Sequence, residues 1–356
     1  MTEQNIKNTI PALLSWYDLH ARSLPWRQNP TSYRVWISEV MLQQTRIEAV
    51  IPHYYAFLEK MPTLRALAEI DEAELLKCWE GLGYYSRARN LQKAAKTVID
   101  SGKTELPTQF AKLLKLPGIG EYTAGAIASI CFNECVPAVD GNVLRVLARL
   151  TGDDTDVLSP LGKKKFTALA KRLLPQDAAG KFNQAIMELG ETVCLPNTAP
   201  KCEKCPFSEV CEARRQETAA ELPVRKKASK RKIEPKTVFV LKTEGNPTRV
   251  LLHKRPDSGL LANLFEFPNC AGALTQQDAK EYLKIIGVKA LSLHELENAK
   301  HIFTHLEWHM TGYYATIDGA YVPSYPYVLA TKEELEQQYA VPSAFRAFTK
   351  FVNTKL

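Results

Sequence analysis

Two carboxylic acids in this chain stand where acid–base chemistry is plausible. The first, Glu39, lies in Tyr33-Arg34-Val35-Trp36-Ile37-Ser38-Glu39-Val40-Met41-Leu42-Gln43-Gln44-Thr45, a run that reads as a long helix. A lone acid among apolar neighbours is either the wet edge of an amphipathic helix or a group in a poorly hydrated site. In the second case desolvation raises its pKa, so that it can carry a proton at neutral pH. The second acid, Asp140, closes a stretch that opens with Leu116-Pro117-Gly118-Ile119-Gly120. That opening predicts a tight turn, Tyr122 to Ile130 a helix, Pro137 a break, and Val143 to Leu150 another helix. An Asp at a helix start is ordinarily a cap, and the helix dipole is expected to keep it ionised. Turns at Gly118 and Gly120 let backbone N–H groups approach a phosphate, and the helix start behind them adds positive field. A phosphate clamp followed by a fixed carboxylate is a layout for chemistry on nucleic acid.

A third constellation is made of thiols. Of eight cysteines, Cys78, Cys131, Cys135 and Cys270 read as core residues. Cys194, Cys202, Cys205 and Cys211 crowd together, which in a reducing compartment points to metal more often than to disulfides. Four thiolates suit zinc and a [4Fe–4S] cluster equally well, although zinc ribbons usually show two CxxC pairs and only Cys202-x-x-Cys205 is present. Lys201 and Lys204 within this loop are expected to contact phosphate.

The elements that must carry these groups divide the chain in two. At 356 residues it is too long for one ordinary domain, and a hydrophobic fraction of 45% supports real cores. A net charge of +7 and a pI near 8.8 suit a polyanionic partner without requiring one. No apolar run reaches membrane-spanning length, and Met1 to Ile10 is too polar for a signal-peptide core, so an intracellular protein is expected. The N-terminal part has helical periodicity: residues 10–28 read as a helix, and helices continue from Pro52 to Ser101. The loop Trp79-Glu80-Gly81-Leu82-Gly83-Tyr84-Tyr85-Ser86-Arg87-Ala88-Arg89-Asn90 interrupts them; its two tyrosines and two arginines suit a wedge into a base stack with a grip on phosphate. Pro223 to Lys232 is basic and almost devoid of apolar residues, and reads as a linker. Beyond Lys236, Thr237 to Leu241 and Arg249 to Arg255 read as strands and Thr275 to Ile286 as a helix, giving an α+β domain. In His301-Ile302-Phe303-Thr304-His305-Leu306-Glu307-Trp308-His309 three histidines recur at a spacing of four. The β-branched and aromatic content predicts a strand and turn, where they do not converge on a metal.

Together these segments resemble one family. Leu116 to Gly120, the Thr123-Ala124 step and Asp140 are similar to the hairpin of the helix-hairpin-helix DNA glycosylase superfamily. Ser38-Glu39-Val40-Met41-Leu42-Gln43-Gln44-Thr45 resembles the signature of its adenine DNA glycosylases of the MutY type; strand-cleaving relatives share the end of that motif and lack the Glu. The cysteine spacing resembles the family's iron–sulfur loop with one extra residue between Cys194 and Cys202. Gly259 to Pro268 resembles a Nudix-like domain, but Lys280-Glu281-Tyr282-Leu283 lacks the paired acids that hold Mg²⁺ in Nudix hydrolases, which implies a reader rather than a hydrolase. The resemblance implies a multidomain α and α+β protein: an all-α helix-hairpin-helix glycosylase region over 1–216 with an iron–sulfur loop at 194–211, a basic linker over 217–235, and a smaller Nudix-like domain for opposite-base recognition over 236–356.

The resemblance also assigns roles. Glu39 protonates adenine as the N-glycosidic bond breaks, and Asp140 stabilises or traps the sugar cation. Tyr122 stands where strand-cleaving relatives carry a Schiff-base Lys, which implies a monofunctional enzyme; it and Asn142 assist Asp140. Gln184 or Glu188 belongs to the adenine pocket, and Arg22 and Arg27 to positioning on DNA. Gln44, Tyr84, Arg87, Gly118 and Gly120 contact DNA. Phe303, Thr304 and His305 inspect the opposite base, Thr304 replacing the usual Ser. The implied cofactor is a [4Fe–4S] cluster on Cys194, Cys202, Cys205 and Cys211. The implied partner is double-stranded DNA with adenine opposite 8-oxoguanine or guanine, met by a monomer in a bacterial cytoplasm, at the nucleoid. A thymine–guanine mismatch glycosylase and a noncatalytic iron–sulfur DNA-binding protein are the competing readings. A nucleotide hydrolase is disfavoured by the missing acids.

Overall fold

The computed structural model describes residues 2–226 and 230–352. Lys227, Ala228 and Ser229 of the expected linker lie outside them. The chain forms two compact units, Met1–Glu69 with Asn90–Ala228, and Ile70–Arg89 with Ser229–Leu356. Among the described residues no helix is long and apolar enough to cross a membrane.

The first unit is helical. Its opening helix spans Glu3–His20 and does not run from 10 to 28 as expected. Thr2 accepts the N–H of Asn5 and so caps it early, and Ile6, Ile10, Leu13 and Tyr17, three or four residues apart, bury one face. Ala21 is already extended, and a separate short helix, Pro25–Gln28, starts on a proline at its first position. Ser32–Leu42 follows, capped by Thr31, whose side chain accepts the N–H of Arg34. The expected hairpin is present as Glu121–Phe132 and Gly141–Thr151. In the turn before it Gly118 has φ of +72°, and an added Cβ would lie 2.5 Å from the Cβ of Asn90, so neither the backbone nor the space admits another residue. Pro160–Leu173 and Ala179–Thr192 complete the set that packs with the opening helix, around Leu13, Leu147, Phe166, Phe182 and Leu189.

The second unit holds a mixed sheet of seven strands, among the described residues: β1 Lys232–Thr243, β2 Val250–Lys254, β3 Phe265–Glu266, β4 Asn269–Ala271, β5 His294–Ile302, β6 Leu306–Ile317 and β7 Tyr327–Ala330. The path runs β3-β2-β1-β6-β5, with β4 paired to β1 and β7 to β2. Among the described residues only β1 and β6 pair in parallel. Side-chain alternation divides the core. Val238, Val240, Trp308 and Met310 point to one face, with Phe345 and Phe348; Phe239, Leu241, Tyr313 and Ala315 point to the other, under the helix Gln276–Ile285. β1 starts at Lys232, inside the stretch read as linker, because Lys232 to Pro235 find partners in Leu306 to His309. The histidine-bearing segment is a strand, a turn and a strand, as its composition predicts.

Candidate active site

One cavity in the first unit, of about 680 Å³, gathers most of the singled-out residues. Glu39, Tyr122, Asp140 and Asn142 line it, as do Arg22, Arg27, Gln44, Gln184 and Glu188. They come from five helices, two loops and the turn before the Gly141–Thr151 helix.

Glu39 is buried, at 7% exposure, on a helix whose Val35, Trp36, Ile37, Val40 and Met41 are buried too. Burial is the largest influence on its carboxyl and lifts it to about 7, with the charge of Asp140 adding to the rise. A hydrogen bond donated by the Tyr122 hydroxyl to Oε2 and the charge of Arg27 pull the other way. The Tyr122 hydroxyl also lies 3.4 Å from Met187 Sδ, and burial beside these carboxylates holds its proton well beyond the usual range for a phenol.

Asp140 caps its helix, accepting the Val143 N–H at 2.8 Å on Oδ1 and the Asn142 Nδ2 at 2.8 Å on Oδ2. The expectation that the helix start simply keeps this acid ionised needs correction. Burial is the larger influence and moves its pKa upward, while the donated hydrogen bonds only oppose the rise. The two acids therefore share a direction and differ in their donors. Asp140 has hydrogen bonds that favour the anion; Glu39 has one phenol.

Asn142 is fixed from three sides. Its Nδ2 donates to Asp140 and, also at 2.8 Å, to Glu191 Oε1, while its Oδ1 accepts from Arg145 Nη2 at 2.8 Å. Arg145 in turn donates to the carbonyls of Gly190 and Cys194, both at 2.8 Å. Glu188 is 1% exposed, and both of its oxygens are engaged: Oε1 by Arg22 Nε at 2.6 Å, Oε2 by Arg27 Nη2 at 2.8 Å. Burial alone would raise this carboxyl, but the two guanidiniums outweigh it and hold it below the ordinary range. Gln184 has its Oε1 within 3.3 Å of the Tyr17 hydroxyl. Glu191, Met187 and Arg145 were not singled out from the sequence. The available signal was helical spacing, since Glu191 follows Glu188 by three residues and Arg145 follows Asn142 by three.

The hairpin glycines lie outside this cavity. Gly120 occupies the N-cap position of the Glu121–Phe132 helix without a side-chain cap, which leaves the helix start open to an anion. Gln44 is exposed with φ of +60°, and Tyr84 is 48% exposed with φ of +46°.

In the second unit a cavity of about 490 Å³ is lined by Tyr84, Arg89, Phe303, Thr304 and His305, among others. The Tyr84 hydroxyl and the Thr304 hydroxyl are 3.0 Å apart, and Phe303 stacks edge-on against Trp308 at 4.7 Å. Arg87, expected to reach phosphate, is turned inward instead. It is buried, its Nη2 donates to the carbonyls of Leu82 and Gly83 at 2.7 and 3.0 Å, and its guanidinium lies over Trp79. The carbonyls of a tight glycine loop need a donor, and Arg87 supplies it.

Cys194, Cys202, Cys205 and Cys211 line one small cavity with Arg149 and Arg214. All four are free thiols, and Arg149 Nη1 lies 3.3 Å from Cys194 Sγ. Among the described residues no three His, Cys, Asp or Glu side chains stand as a finished set of metal ligands. The donors nevertheless suit a thiolate-held group: the four cysteines line one cavity and a guanidinium faces one of them. Lys201 and Lys204 are exposed on the same loop. Of the thiols read as core, Cys135 is exposed and the other three are partly buried.

Comparison with known proteins fits this geometry. Residues 37–176 match the HhH-GPD superfamily of base excision DNA repair proteins, and residues 237–350 match the NUDIX domain. Among solved structures, a thermostable thymine-DNA glycosylase aligns over 60% of this chain and 100% of its own, at 27% identity and a TM-score of 0.55. An endonuclease III–DNA complex aligns over 61% of this chain and 98% of that one, at 24% identity and a TM-score of 0.52, a likeness of fold. The helical unit is thus that of a base excision repair protein of the HhH-GPD class. The adenine DNA glycosylases of Arabidopsis thaliana and Homo sapiens are 38% and 35% identical over 86% of the chain, and that of Buchnera aphidicola subsp. Schizaphis graminum is 35% identical over 84%. The chain spans 56%, 67% and 84% of their respective lengths. It belongs to the adenine DNA glycosylase family.

Proposed function

We propose that the protein removes adenine mispaired with 8-oxoguanine or guanine in duplex DNA, as a monofunctional glycosylase. What carries the reading is the pair Glu39 and Asp140 on one cavity, the first with a pKa near 7, the second held by donors that favour its anion. Protonated Glu39 gives its proton to the adenine ring as the bond from C1′ to the base breaks and the electron pair leaves with adenine. The Asp140 carboxylate faces the cation left on the sugar, stabilising or trapping it, and water then adds at C1′. Tyr122, expected to assist Asp140, instead donates its hydroxyl to Glu39, and it cannot form an imine, which leaves no Schiff-base route to strand cleavage. Arg22 and Arg27, gripped by Glu188, shape the adenine pocket beside Gln184. General acid catalysis supplies about 10²–10⁴ in rate. Base extrusion and charge stabilisation supply the rest.

In this reading Gln44, Tyr84 and the Gly118–Gly120 turn meet DNA, with Arg87 bracing the Tyr84 loop from within. Phe303, Thr304 and His305 inspect the opposite base, inside a recognition region over 236–356; residues 1–216 are the catalytic region and 217–235 the connection. Cys194, Cys202, Cys205 and Cys211 hold a [4Fe–4S] cluster, which supplies a rigid charged brace when bound. The protein works as a monomer on duplex DNA in a bacterial cytoplasm.

The decisive assay is base release from duplexes containing A opposite 8-oxoguanine, A opposite G, and T opposite G, each with and without alkali. The expected result is adenine release, with strand breaks only after alkali. Release from the thymine–guanine duplex alone would establish the competing mismatch reading, and binding without release the noncatalytic one.

Two variants test the remaining assignments. Thr304→Ala is expected to narrow the preference for 8-oxoguanine over guanine about tenfold, the scale of one lost base contact. Single-turnover rates and affinities on the two duplexes measure it. A chain cut near Glu234 would serve less well, because the cut falls inside β1 and removes the partners of Ile70–Arg89. Cys202→Ser is expected to purify without iron and to bind DNA more weakly; a fully active, iron-free or zinc-loaded protein overturns the cluster.

A further inference from the structure

Glu191 has no part in the mechanism above, yet it lines the same cavity and is the third carboxylate there. It stands near the end of the Ala179–Thr192 helix, exposed to the cavity mouth, and its Oε1 accepts the Asn142 Nδ2 at 2.8 Å. Asn142 gives a hydrogen from the same amide nitrogen to Asp140 and takes Arg145 on its oxygen. The amide is thereby oriented: with Nδ2 serving two carboxylates and Oδ1 serving a guanidinium, the flipped amide would set oxygen against two anions. We propose that Glu191 is a positioning residue of the reaction centre, which fixes the Asn142 amide and adds a negative charge beside Asp140. The proposal rests on the assignment of Asp140 and Asn142 made above.

The charged groups around Glu191 agree with this role. Its charge adds to the rise in the Asp140 and Tyr122 pKa values and acts favourably on Arg22 and Arg145. Glu188, on the same helix, is committed to Arg22 and Arg27. Glu39 lies beyond Tyr122, and the charges acting on it are those of Asp140 and Arg27. So Glu191 bears directly on Asp140, with which it shares the Asn142 amide, and more remotely on Glu39. The Glu191 charge makes the Asp140 anion more costly, and the amide that both share offsets part of that cost.

Two substitutions separate the charge from the contact. Glu191→Gln keeps an oxygen for Asn142 and loses the charge; Glu191→Ala loses both. Adenine release is followed in single turnover on the duplex with A opposite 8-oxoguanine, across pH. In the wild type the rate is expected to fall on the acid side, where Asp140 takes up a proton. Without the Glu191 charge Asp140 ionises more easily, so in both variants the acid limb is expected to move to lower pH, by about half a unit at the screened mouth of a cavity. The alkaline limb, which reports Glu39, stays in place. Glu191→Ala is also expected to lower the plateau about tenfold, the scale of one hydrogen bond to a charged group, while Glu191→Gln holds the plateau. An acid limb unmoved in Glu191→Gln overturns the proposal. Asp140→Asn, run beside them, keeps the two readings apart. If it retains activity, the assignment of Asp140 fails; if it loses activity while Glu191→Gln keeps the wild-type profile, this inference alone fails.

Discussion

Asp140→Asn is expected to bind the duplex with near-normal affinity and to release adenine at least about 10³-fold more slowly in single turnover. The asparagine matches the carboxylate in shape, so the cap to Val143 can survive, but the anion facing the sugar is gone. Affinity is measured under conditions where no release occurs, so the two quantities do not contaminate each other. A rate within tenfold of the wild type would falsify the role given to Asp140.

Glu39→Gln should slow adenine release by about 10²–10⁴, because the amide has no proton to give. The wild-type rate itself is expected to fall as pH rises through about 7, as the Glu39 proton is lost. A second effect has the opposite sign. The folded-state pKa of Glu39 is raised above its ordinary value, so the fold holds this proton more tightly than the unfolded chain does, and stability contributed by the protonated form is lost as pH climbs toward and past 7. Glutamine removes that dependence. Glu39→Gln is thus expected to be more resistant to denaturant than the wild type at pH 8, by about 3 kcal/mol, and to converge with it only below the ordinary carboxyl value of 4.5. Urea unfolding at the two ends of this range checks this. An inactive variant no more stable at pH 8 than the wild type would mean that Glu39 is not strained by burial.

How much of this was legible in the sequence depends on the range of the interactions involved. The hairpin was readable because Gly118, Pro137 and Asp140 act on their own backbone. The strand character of His301 to His309 was readable for the same reason. Glu39 declared itself by being one acid in an apolar run. The first helix was misplaced because its start is set by the cap at Thr2 and its end by the extended backbone at Ala21, neither of which its apolar spacing reveals. The start of β1 was missed because only Leu306 to His309, far along the chain, give Lys232 to Pro235 a ladder. Arg87 was read as a surface cation because burial under Trp79 and the glycine carbonyls is not written in its neighbours. The upward push on Asp140 has the same origin. A helix start favours the anion locally, while the surrounding walls come from distant parts of the sequence. Glu191 and Arg145 act through Asn142, a link that exists only once two helices meet.

Gln44 and Tyr84 hold their backbone at φ of +60° and +46°, where glycine sits without penalty and an L side chain does not. A library of this protein selected for heat resistance alone should therefore drift toward glycine at position 44, gaining about 0.5–1 kcal/mol. Position 84 should drift less, because its ring is held by Arg87 and its hydroxyl by Thr304. Selection for repair in living cells should push both positions back. The frequency of glycine at these two exposed tips, compared between the selections, would then read out how far the chain trades durability for side chains that matter only when DNA is present.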